Sequence, residues 1–456
     1  MRKPFAMSLV IILCLAVAAG AVPKVETEVI TDISGNQLTR CVTPGSETGE
    51  MGIPQIAPHA TDQEVLWTVD HGTAIAHDVA VSGDGGYLTT GWYLNYEKVS
   101  MYEVAGTGTP LWEYTITPNF YLPVAASDDN AVVASIGDIV PLNAWLNGAG
   151  PTPSWSYNPP VGWKGTDCDV SDNGMYIVAS YKEDGTDNGK LLVFASTGGA
   201  PLWEIDFNAQ NGINGIEISE DNNWIVISTY YAYHVFDFTN LLLFASVTNY
   251  SQTTGGIDDD AEYLATGDFY GQLHLYQRTG TGYTQLWQSY MGGWVTAVDV
   301  SSDASMVIAG NYTYSPSNAG EVRGYDIGGT QLWSYAQYGD YIADAALCND
   351  GSVGVATSWG ALNYTFGDIF TAFDMATGDV IFNLLDDIDE PGTLFDVAIS
   401  DDGTIAVSGG KAVHARTFGN GGQIYAIELG GGVSPMTLDL TYVSGSPVPA
   451  GGGNVD

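Results

Sequence analysis

One short phrase recurs eight times along the chain, and this repeat constrains the fold more than any other feature. Residues 78–92 read DVAVSGDGGYLTTGW, and residues 396–410 read DVAISDDGTIAVSGG. In both copies a turn separates two apolar runs, and an Asp stands two residues after the first residue of the turn. The eight turns begin, about 45 residues apart, at Ser82, Ser127, Ser171, Ser219, Asp258, Ser301, Cys348 and Ser400. A period of this length with short strands predicts the blades of a β-propeller.

A second marker, an aromatic residue that usually follows leucine, keeps the same period. It precedes the eight turns at Trp67, Trp112, Trp155, Trp203, Phe244, Trp287, Trp333 and Phe382. Between the markers the sequence divides into four short strands per repeat, as in residues 295–335, with Gly, Ser and Asp at the turns. Because each ring has the same place in its repeat, we expect it to pack between blades rather than to bind a ligand.

These markers predict an all-β fold, an eight-bladed β-propeller of four-stranded antiparallel blades over residues 64–429. The first aromatic marker precedes the first complete repeat, and the last repeat has none after it. We therefore expect residues 64–70 to close the ring as the fourth strand of the last blade, beside residues 422–429, which hides two sheet edges. Two alternatives stay open: a ring of seven blades, and closure by residues 436–443.

At these residues the sequence resembles the secreted WD-repeat-like and quinoprotein-like (PQQ-type) propellers. Their fourth strand carries a Gly-x-x-Leu-Trp pattern, which is present here in GTGTPLWEY, TGGAPLWEI and IGGTQLWSY. The resemblance implies the fold and leaves function open, because propellers host enzymes, adhesins and scaffolds. Working quinoprotein dehydrogenases typically carry a vicinal cysteine pair and a calcium-holding cluster. This chain has no Cys-Cys pair, so no cofactor ligand is carried over.

The two ends of the chain differ from the repeats. Residues 1–21 combine two cations, an apolar stretch and small terminal residues, which predicts a cleaved signal peptide. Residues 22–63 are predicted to be a leader or linker. Residues 430–456 are predicted to be a Gly/Pro-rich linker that could begin a further β-domain. We therefore expect a secreted protein, extracellular, at the cell surface or in the periplasm, with no membrane span after cleavage.

The charge balance excludes several classes of partner. The chain carries 53 acidic and 12 basic side chains, a formal net charge of −41. A surface this negative repels phosphate backbones and anionic lipid heads, which argues against nucleic acid and membrane surfaces as partners. The four cysteines, one of them inside the predicted signal peptide, are too few for a disulfide framework. Stability must therefore come from an apolar core.

The sequence lacks the motifs of the common catalytic classes. It contains no Gly-x-Ser-x-Gly, no His-Glu-x-x-His and no phosphate-binding loop, and its six histidines show no metal-ligand spacing. We predict no catalytic residue and no cofactor, with calcium as the one open alternative. The carboxylates that could hold calcium stand in DGTDNG and DDIDE, as Asp184, Asp187, Asp386 and Asp387.

Loop composition favours one face of the disc as the functional face. Connections between the first and second strands, and between the third and fourth, are short. Connections between the second and third strands, and from the fourth strand to the next blade, are longer and rich in aromatics. In a four-stranded blade these connections emerge together on the opposite face, here called the elaborated face. Exposed rings beside Asn and Asp suit a glycan or protein partner. The predicted ligand-binding residues are Trp92, Trp163, Trp294, Tyr312 and Trp359.

The sequence supports a secreted, non-enzymatic propeller that binds or displays a protein or glycan partner at the cell surface. The alternative is an enzyme, quinoprotein-like or carbohydrate-active, with its site at the mouth of the central channel. A third hypothesis is self-assembly through stacked faces, since the pattern does not determine an oligomeric state.

Overall fold

The computed structural model describes residues 26–31, 37–42, 63–94, 96–116, 122–129, 132–137, 140–146, 150–240, 242–248, 255–314, 318–361, 367–385, 392–417 and 421–430. These residues form 34 β-strands, and none of them belongs to a helix long and apolar enough to span a membrane. The strands build the eight four-stranded blades of a β-propeller, as the repeat predicts. The predicted signal peptide, residues 1–21, and residues 431–456 of the predicted linker lie outside the described residues.

Blades 1 to 4 follow one another along the chain, each from an inner strand at the channel to an outer strand at the rim. Three strands precede them: β1 (Glu26–Thr31), β2 (Gln37–Val42) and β3 (Glu64–His71). The strands of the four blades are β4 (Ile75–Val81), β5 (Tyr87–Tyr93), β6 (Lys98–Glu103) and β7 (Pro110–Thr115); β8 (Val124–Ala126), β9 (Val132–Ser135), β10 (Leu142–Leu146) and β11 (Trp155–Tyr157); β12 (Trp163–Val170), β13 (Tyr176–Glu183), β14 (Gly189–Ala195) and β15 (Trp203–Phe207); and β16 (Ile213–Ile218), β17 (Trp224–Thr229), β18 (Ala232–Asp237) and β19 (Leu242–Thr248).

Blades 5 to 7 repeat this order, and blade 8 is completed from the other end of the chain. The strands are β20 (Gly256–Ile257), β21 (Tyr263–Gly267), β22 (Gln272–Thr279) and β23 (Gly282–Tyr290); β24 (Trp294–Val300), β25 (Met306–Tyr312), β26 (Gly320–Asp326) and β27 (Gln331–Tyr338); β28 (Ile342–Leu347), β29 (Val353–Ser358), β30 (Asp368–Asp374) and β31 (Val380–Leu385); and β32 (Thr393–Ile399), β33 (Ile405–Lys411) and β34 (Gly422–Glu428).

The N-terminal strand of the propeller closes the ring. β3 pairs antiparallel with β34, with Thr68 opposite Tyr425 and His71 opposite Gly422. Closure from the N-terminal side is therefore confirmed. The seven-bladed alternative is wrong, because each of the eight repeats forms its own sheet. β3 takes the outer place in blade 8 that closure by residues 436–443 would require, and those residues lie outside the described part of the chain.

The segment predicted to be a linker contains two of the strands. β1 and β2 pair antiparallel, and β2 also pairs in parallel with the outer strand β31 of blade 7, where Cys41 lies opposite Leu384. Both strands contain the β-branched residues that favour extended backbone. The leader over residues 22–63 therefore includes regular structure that the turn-rich composition did not predict.

The hydrophobic core is divided among the junctions between neighbouring blades. The described residues form eight buried clusters, and each joins two adjacent blades. Trp67 of blade 8 donates its indole N–H to the carbonyl of Val104 in blade 1, and Trp333 of blade 6 donates to Met375 in blade 7, at 2.7 and 2.8 Å. For these two rings, the predicted packing role of the in-phase aromatics is confirmed.

The repeated turn is held by its own side chains. In blade 8 the hydroxyl of Ser400 donates to Asp402 at 2.9 Å and accepts the main-chain N–H of Ile405 at 3.0 Å. Asp402 in turn accepts the N–H of Thr404 at 3.0 Å. The same bonds recur in blade 1 around Ser82 and Asp84. The turn Asp therefore has a structural role, as its spacing predicts.

Replacing Ser400 with alanine is expected to lower the free energy of unfolding by about 1 to 3 kcal/mol, since it leaves the N–H of Ile405 without a partner inside the protein. Urea denaturation measures the change. Blade 7 supplies the control, because Cys348 stands at the same position and its sulfur accepts the N–H of Val353 at 3.2 Å. Ser400→Cys is expected to cost less than Ser400→Ala, and equal costs would contradict the role of this bond.

Candidate functional site

The inner strands share a local irregularity at the mouth of the channel on the elaborated face. Six of them carry a β-bulge at the same place, five residues before the first residue of the turn. A bulge changes the direction of the side chains that follow it. The extra residues are His77, Thr166, Asn214, Thr296, Ala343 and Phe395. The His77 and Phe395 rings stack, with centroids 5.2 Å apart, across the junction of blades 1 and 8.

Below the bulges the channel wall carries carboxyl groups in two tiers. The upper tier, four residues before each turn, contains Asp78, Asp167, Asp344 and Asp396. The lower tier, two residues before each turn, contains Asp169, Glu217 and Asp299. Because side chains two residues apart point to the same side of a strand, both tiers lie on one face. Charges also interact across the ring, as between Asp78 and Asp167 or between Glu217 and Asp344, so these seven groups, the channel carboxyls, share one interior.

Each channel carboxyl also connects its blade to the next one. Asp78 accepts the main-chain N–H of Val124 at 2.6 Å, and Asp396 accepts that of Val79 at 2.7 Å. The other five bonds join Asp167 to Ile216, Asp169 to Ile218, Glu217 to Ile257, Asp299 to Leu347 and Asp344 to Val397. Six of the eight junctions are bridged in this way, so these side chains help to hold the ring together.

Burial strongly perturbs the acidity of the channel carboxyls. Removal from water raises the pKa of Asp78 to about 7, of Asp167 to about 8 and of Asp169 to about 6. In each case the main-chain hydrogen bonds act in the opposite direction but are weaker than burial. Burial also raises the pKa values of Glu217 and Asp344 well above their ordinary range. At neutral pH the channel therefore holds protons as well as negative charge.

The opposite mouth of the channel is also acidic. Here Asp128, Asp172, Glu220 and Asp401, each the second residue of its turn, lie close enough for their charges to interact. Main-chain bonds such as that from the Asp401 N–H to the Gly83 carbonyl, at 3.0 Å, join neighbouring turns. Burial, reinforced by neighbouring carboxylates, raises the pKa of Asp128 to about 6, of Asp172 to about 9 and of Glu220 to about 7. Carboxyl groups thus line the channel from one mouth to the other.

On the elaborated face the aromatic residues of blades 4 to 7 join into one continuous array, here called the aromatic arc. Its rings are those of Tyr230, Phe269, Trp294, Tyr312, Tyr341 and Trp359, with successive centroids 5.5, 5.6, 5.6, 5.4 and 4.5 Å apart. Tyr341 and Trp359 are stacked, with 21° between their planes. Phe269, Trp294 and Trp359 keep part of their surface in solvent. The arc therefore presents apolar rings from four blades on one surface.

A guanidinium group lies at one end of the aromatic arc. Arg416 donates from Nε to Asp340 at 2.9 Å and from a terminal nitrogen to the Tyr312 hydroxyl at 2.8 Å. It also lies over the Trp359 ring, 5.0 Å from the centroid. Asp340 is buried, and the Nε2 of buried His414 lies 3.2 Å from its carboxylate. Burial alone would raise the pKa of Asp340, but the hydrogen bonds from Arg416, together with the nearby His414 ring, outweigh it, and the pKa is lowered.

The structure unites three of the five predicted ligand-binding residues. Trp294, Tyr312 and Trp359 belong to the aromatic arc, although Tyr312 is only 3% exposed. Trp163 lies apart in blade 3, where the Lys190 ammonium is 5.4 Å from its ring centroid. The expectation that Trp92 is exposed is wrong. Its ring is 0% exposed, because the closing strand β3 places His71 against it, with centroids 4.7 Å apart.

Two of the four predicted calcium ligands, Asp184 and Asp187, lie among the described residues. Asp184 is 65% exposed and its carboxylate lies 3.3 Å from the Lys164 ammonium. Asp386 and Asp387 lie outside the described residues. Among the residues that the structure describes, no group of three or more His, Cys, Asp or Glu side chains has the arrangement of a metal site. Calcium binding by Asp184 and Asp187 stays a prediction.

Sequence reasoning missed the channel carboxyls, although a signal was present. Apolar inner-strand segments such as TDCDVS, GIEISE and AVDVSS each contain an acid two or four residues before the turn. An acid in an otherwise buried strand requires a partner. The repeat alignment shows these positions directly, but the main-chain partners belong to the next blade and become visible only in the folded ring.

The fold resembles solved propellers of low sequence identity. The C-terminal WD40 domain of Sif2 is 12% identical, with a TM-score of 0.60 over 82% of this chain and 100% of that chain. The computationally designed Ika8 protein is 16% identical, with a TM-score of 0.57 over 79% of this chain and 99% of that chain. No family model and no curated protein matches the sequence. At these identities the likeness shows the fold alone, a WD40-like propeller.

Proposed function

We propose that this protein is a secreted, non-enzymatic propeller that binds a protein or glycan partner at the cell surface through the aromatic arc. The observation that carries the proposal is the continuity of the arc. Rings from four blades contact one another on the face with the longer loops, and Arg416 lies beside those of Tyr312 and Trp359. Flat apolar surfaces with hydrogen-bonding groups at their margins suit sugar rings and the side chains of a protein partner.

The surroundings of the arc favour such a partner. Exposed tyrosines extend the aromatic surface, since Tyr231, Tyr270 and Tyr314 all have large exposed fractions. The net charge of −41 disfavours polyanions, so a neutral or cationic partner is expected. The fixed positive charge near the arc is already neutralised by Asp340 and therefore acts mainly as a hydrogen-bond donor.

A binding screen with matched tryptophan variants tests this proposal. The chain from residue 22 is screened against oligosaccharides and cell-surface peptides. The double variant Trp294→Ala, Trp359→Ala is expected to weaken any specific binding at least about tenfold, because buried tryptophans dominate binding energies. The control is Trp163→Ala, which removes a partly exposed tryptophan at the start of another inner strand and should leave binding unchanged.

Two outcomes would contradict the proposal. Equal binding by the arc variant and the protein without substitutions would place the partner elsewhere. Turnover of a sugar or oxidation of a substrate would favour the enzymatic alternative at the channel mouth. The raised pKa values of Asp78 and Asp167 are the specific observation behind that alternative. Their carboxyls are already bound to main-chain N–H groups, which favours a structural role.

A further inference from the structure

Three channel carboxyls meet where the ring closes. Asp344, Asp396 and Asp78 hold the same inner-strand position in blades 7, 8 and 1, and they are called here the seam carboxyls. The Asp396 carboxyl makes side-chain hydrogen bonds with both Asp78 and Asp344. Blade 8, between the other two, is the blade that the N-terminal strand β3 completes. The carboxyl chain therefore crosses both junctions of the closing blade.

This arrangement requires protons. Two ionised carboxylates contain no hydrogen atom to share, so a direct hydrogen bond between them forms only when one is protonated. One carboxyl oxygen of Asp396 and one of Asp344 already accept main-chain hydrogen bonds. Val79 donates its N–H to Asp396 at 2.7 Å, and Val397 donates its N–H to Asp344 at 3.2 Å. Each carboxyl is thus fixed in place by the backbone of the next blade and cannot turn away from its neighbour without losing that bond.

Most of the charged groups around the seam carboxyls are themselves acidic, which favours protonation of the seam. The titratable groups other than tyrosines that face the seam carboxyls, or lie on the strands packed against them, are Asp167, Asp169, Glu217, Asp299, Cys168, His77, Lys411, Glu428, Asp368 and Asp374 of β30, and Glu321, Arg323 and Asp326 of β26. Burial keeps the neighbouring His77 neutral by lowering its pKa to about 4. The Lys411 ammonium donates to the carbonyls of Ala415 and Thr417. Carboxyls therefore dominate the electrostatic surroundings of the seam.

We propose that the seam is a pH-sensitive contact, in which protons shared by Asp344, Asp396 and Asp78 hold blades 7, 8 and 1 together and their loss loosens the closed ring. This goes beyond the proposed binding function, because it concerns the channel and not the aromatic arc. Loss of the protons leaves adjacent negative charges in a buried site, where their repulsion is strong.

The direction of the pH dependence follows from the acidity of these groups. Burial raises the pKa of Asp78 to about 7, above the ordinary aspartate value of 3.8. The stabilisation from this group is therefore complete below about pH 4 and is lost as the pH rises through 7. Asp340, Asp350 and Asp402 have lowered pKa values, and their contribution is lost on acidification instead. Maximum stability is expected in mildly acidic solution.

Thermal unfolding of the full chain across pH 5 to 8.5 tests the proposal, at constant ionic strength and with a chelator present throughout. The midpoint is expected to fall by at least about 3 °C over this range. In Asp396→Asn the amide can donate to Asp78 at any pH, so the midpoint of this variant is expected to fall by no more than half as much over the same pH range. Glu103→Gln, which neutralises an exposed acid far from the channel, should reproduce the profile of the protein without substitutions.

Infrared spectroscopy provides a second readout, which reports protonation and not stability. At pH 7 the carbonyl stretch of protonated carboxyls should be stronger in the protein without substitutions than in Asp396→Asn, and this difference should decrease as the pH rises to 8.5. Asp78→Asn serves as the second variant if Asp396→Asn does not fold. A midpoint of thermal unfolding that stays constant or rises with pH, a pH dependence of the midpoint that is unchanged in the seam variant, or protonated bands of equal strength in the two proteins at pH 7 would each overturn the proposal.

Discussion

Replacement of Trp333 by alanine is expected to lower the free energy of unfolding by about 3 to 5 kcal/mol. The side chain is only 9% exposed and stacks on Phe373 of the next blade, with ring centroids 4.7 Å apart. Its indole N–H donates to the carbonyl of Met375. Gly324 and Gly378 leave room for the ring, since a Cβ atom at either position would overlap it. Truncation would therefore leave a cavity that these close backbone segments cannot easily fill.

Urea denaturation followed by tryptophan fluorescence and by circular dichroism measures this change. The neighbouring residue provides the control, because Leu332 lies on the opposite side of β27 and is 38% exposed. Leu332→Ala should therefore cost much less than Trp333→Ala. Comparable losses in the two variants would show that the in-phase aromatic has no special part in joining blades 6 and 7.

Gly410→Ala is expected to destabilise the protein by about 3 kcal/mol or more, at the upper end of the usual cost of overpacking. Gly410 lies in β33 opposite the bulge of β32. An added Cβ would overlap the main-chain oxygen of Thr393 and would lie 2.8 Å from its carbonyl carbon and 2.9 Å from Cα of Leu394. These are backbone atoms, so relief requires movement of the inner strand that carries Asp396.

The same measurement on Gly282→Ala provides the control. Gly282 also lies in a strand, β23, but its Cβ would meet no atom within 4 Å. Alanine there should be neutral or slightly stabilising, because it restricts the unfolded chain. If Gly410→Ala were as well tolerated, the bulge would be adaptable and would not fix the direction of the channel carboxyls.

The fold was largely predictable from the repeat. The order of the strands, the number of blades and closure by β3 all follow from the positions of the turns and the aromatic markers. The hairpin of β1 and β2 was not predicted, because its segment carries neither marker. Its pairing with blade 7 depends on a contact between residues more than 300 positions apart, for which no local pattern exists.

The candidate site was predictable only in part. Loop composition identified the face on which Trp294, Tyr312 and Trp359 lie, since antiparallel strands send alternate connections to the same side. It did not reveal that Trp92 is covered, because the cover is supplied by His71 from the strand that closes the ring. Nor did it identify Arg416, whose partner Asp340 lies 76 residues away on a different blade.

The repeating unit is specified locally, because turn chemistry and alternating apolar residues act within about 45 residues of chain. Which repeats meet around the channel, and which side chains share protons there, depends instead on how the whole chain folds. Asp78 and Asp396 are 318 residues apart in the chain, yet ring closure places their carboxyls in hydrogen-bonding contact. Such contacts depend on the geometry of a closed ring of eight blades, which no single repeat contains.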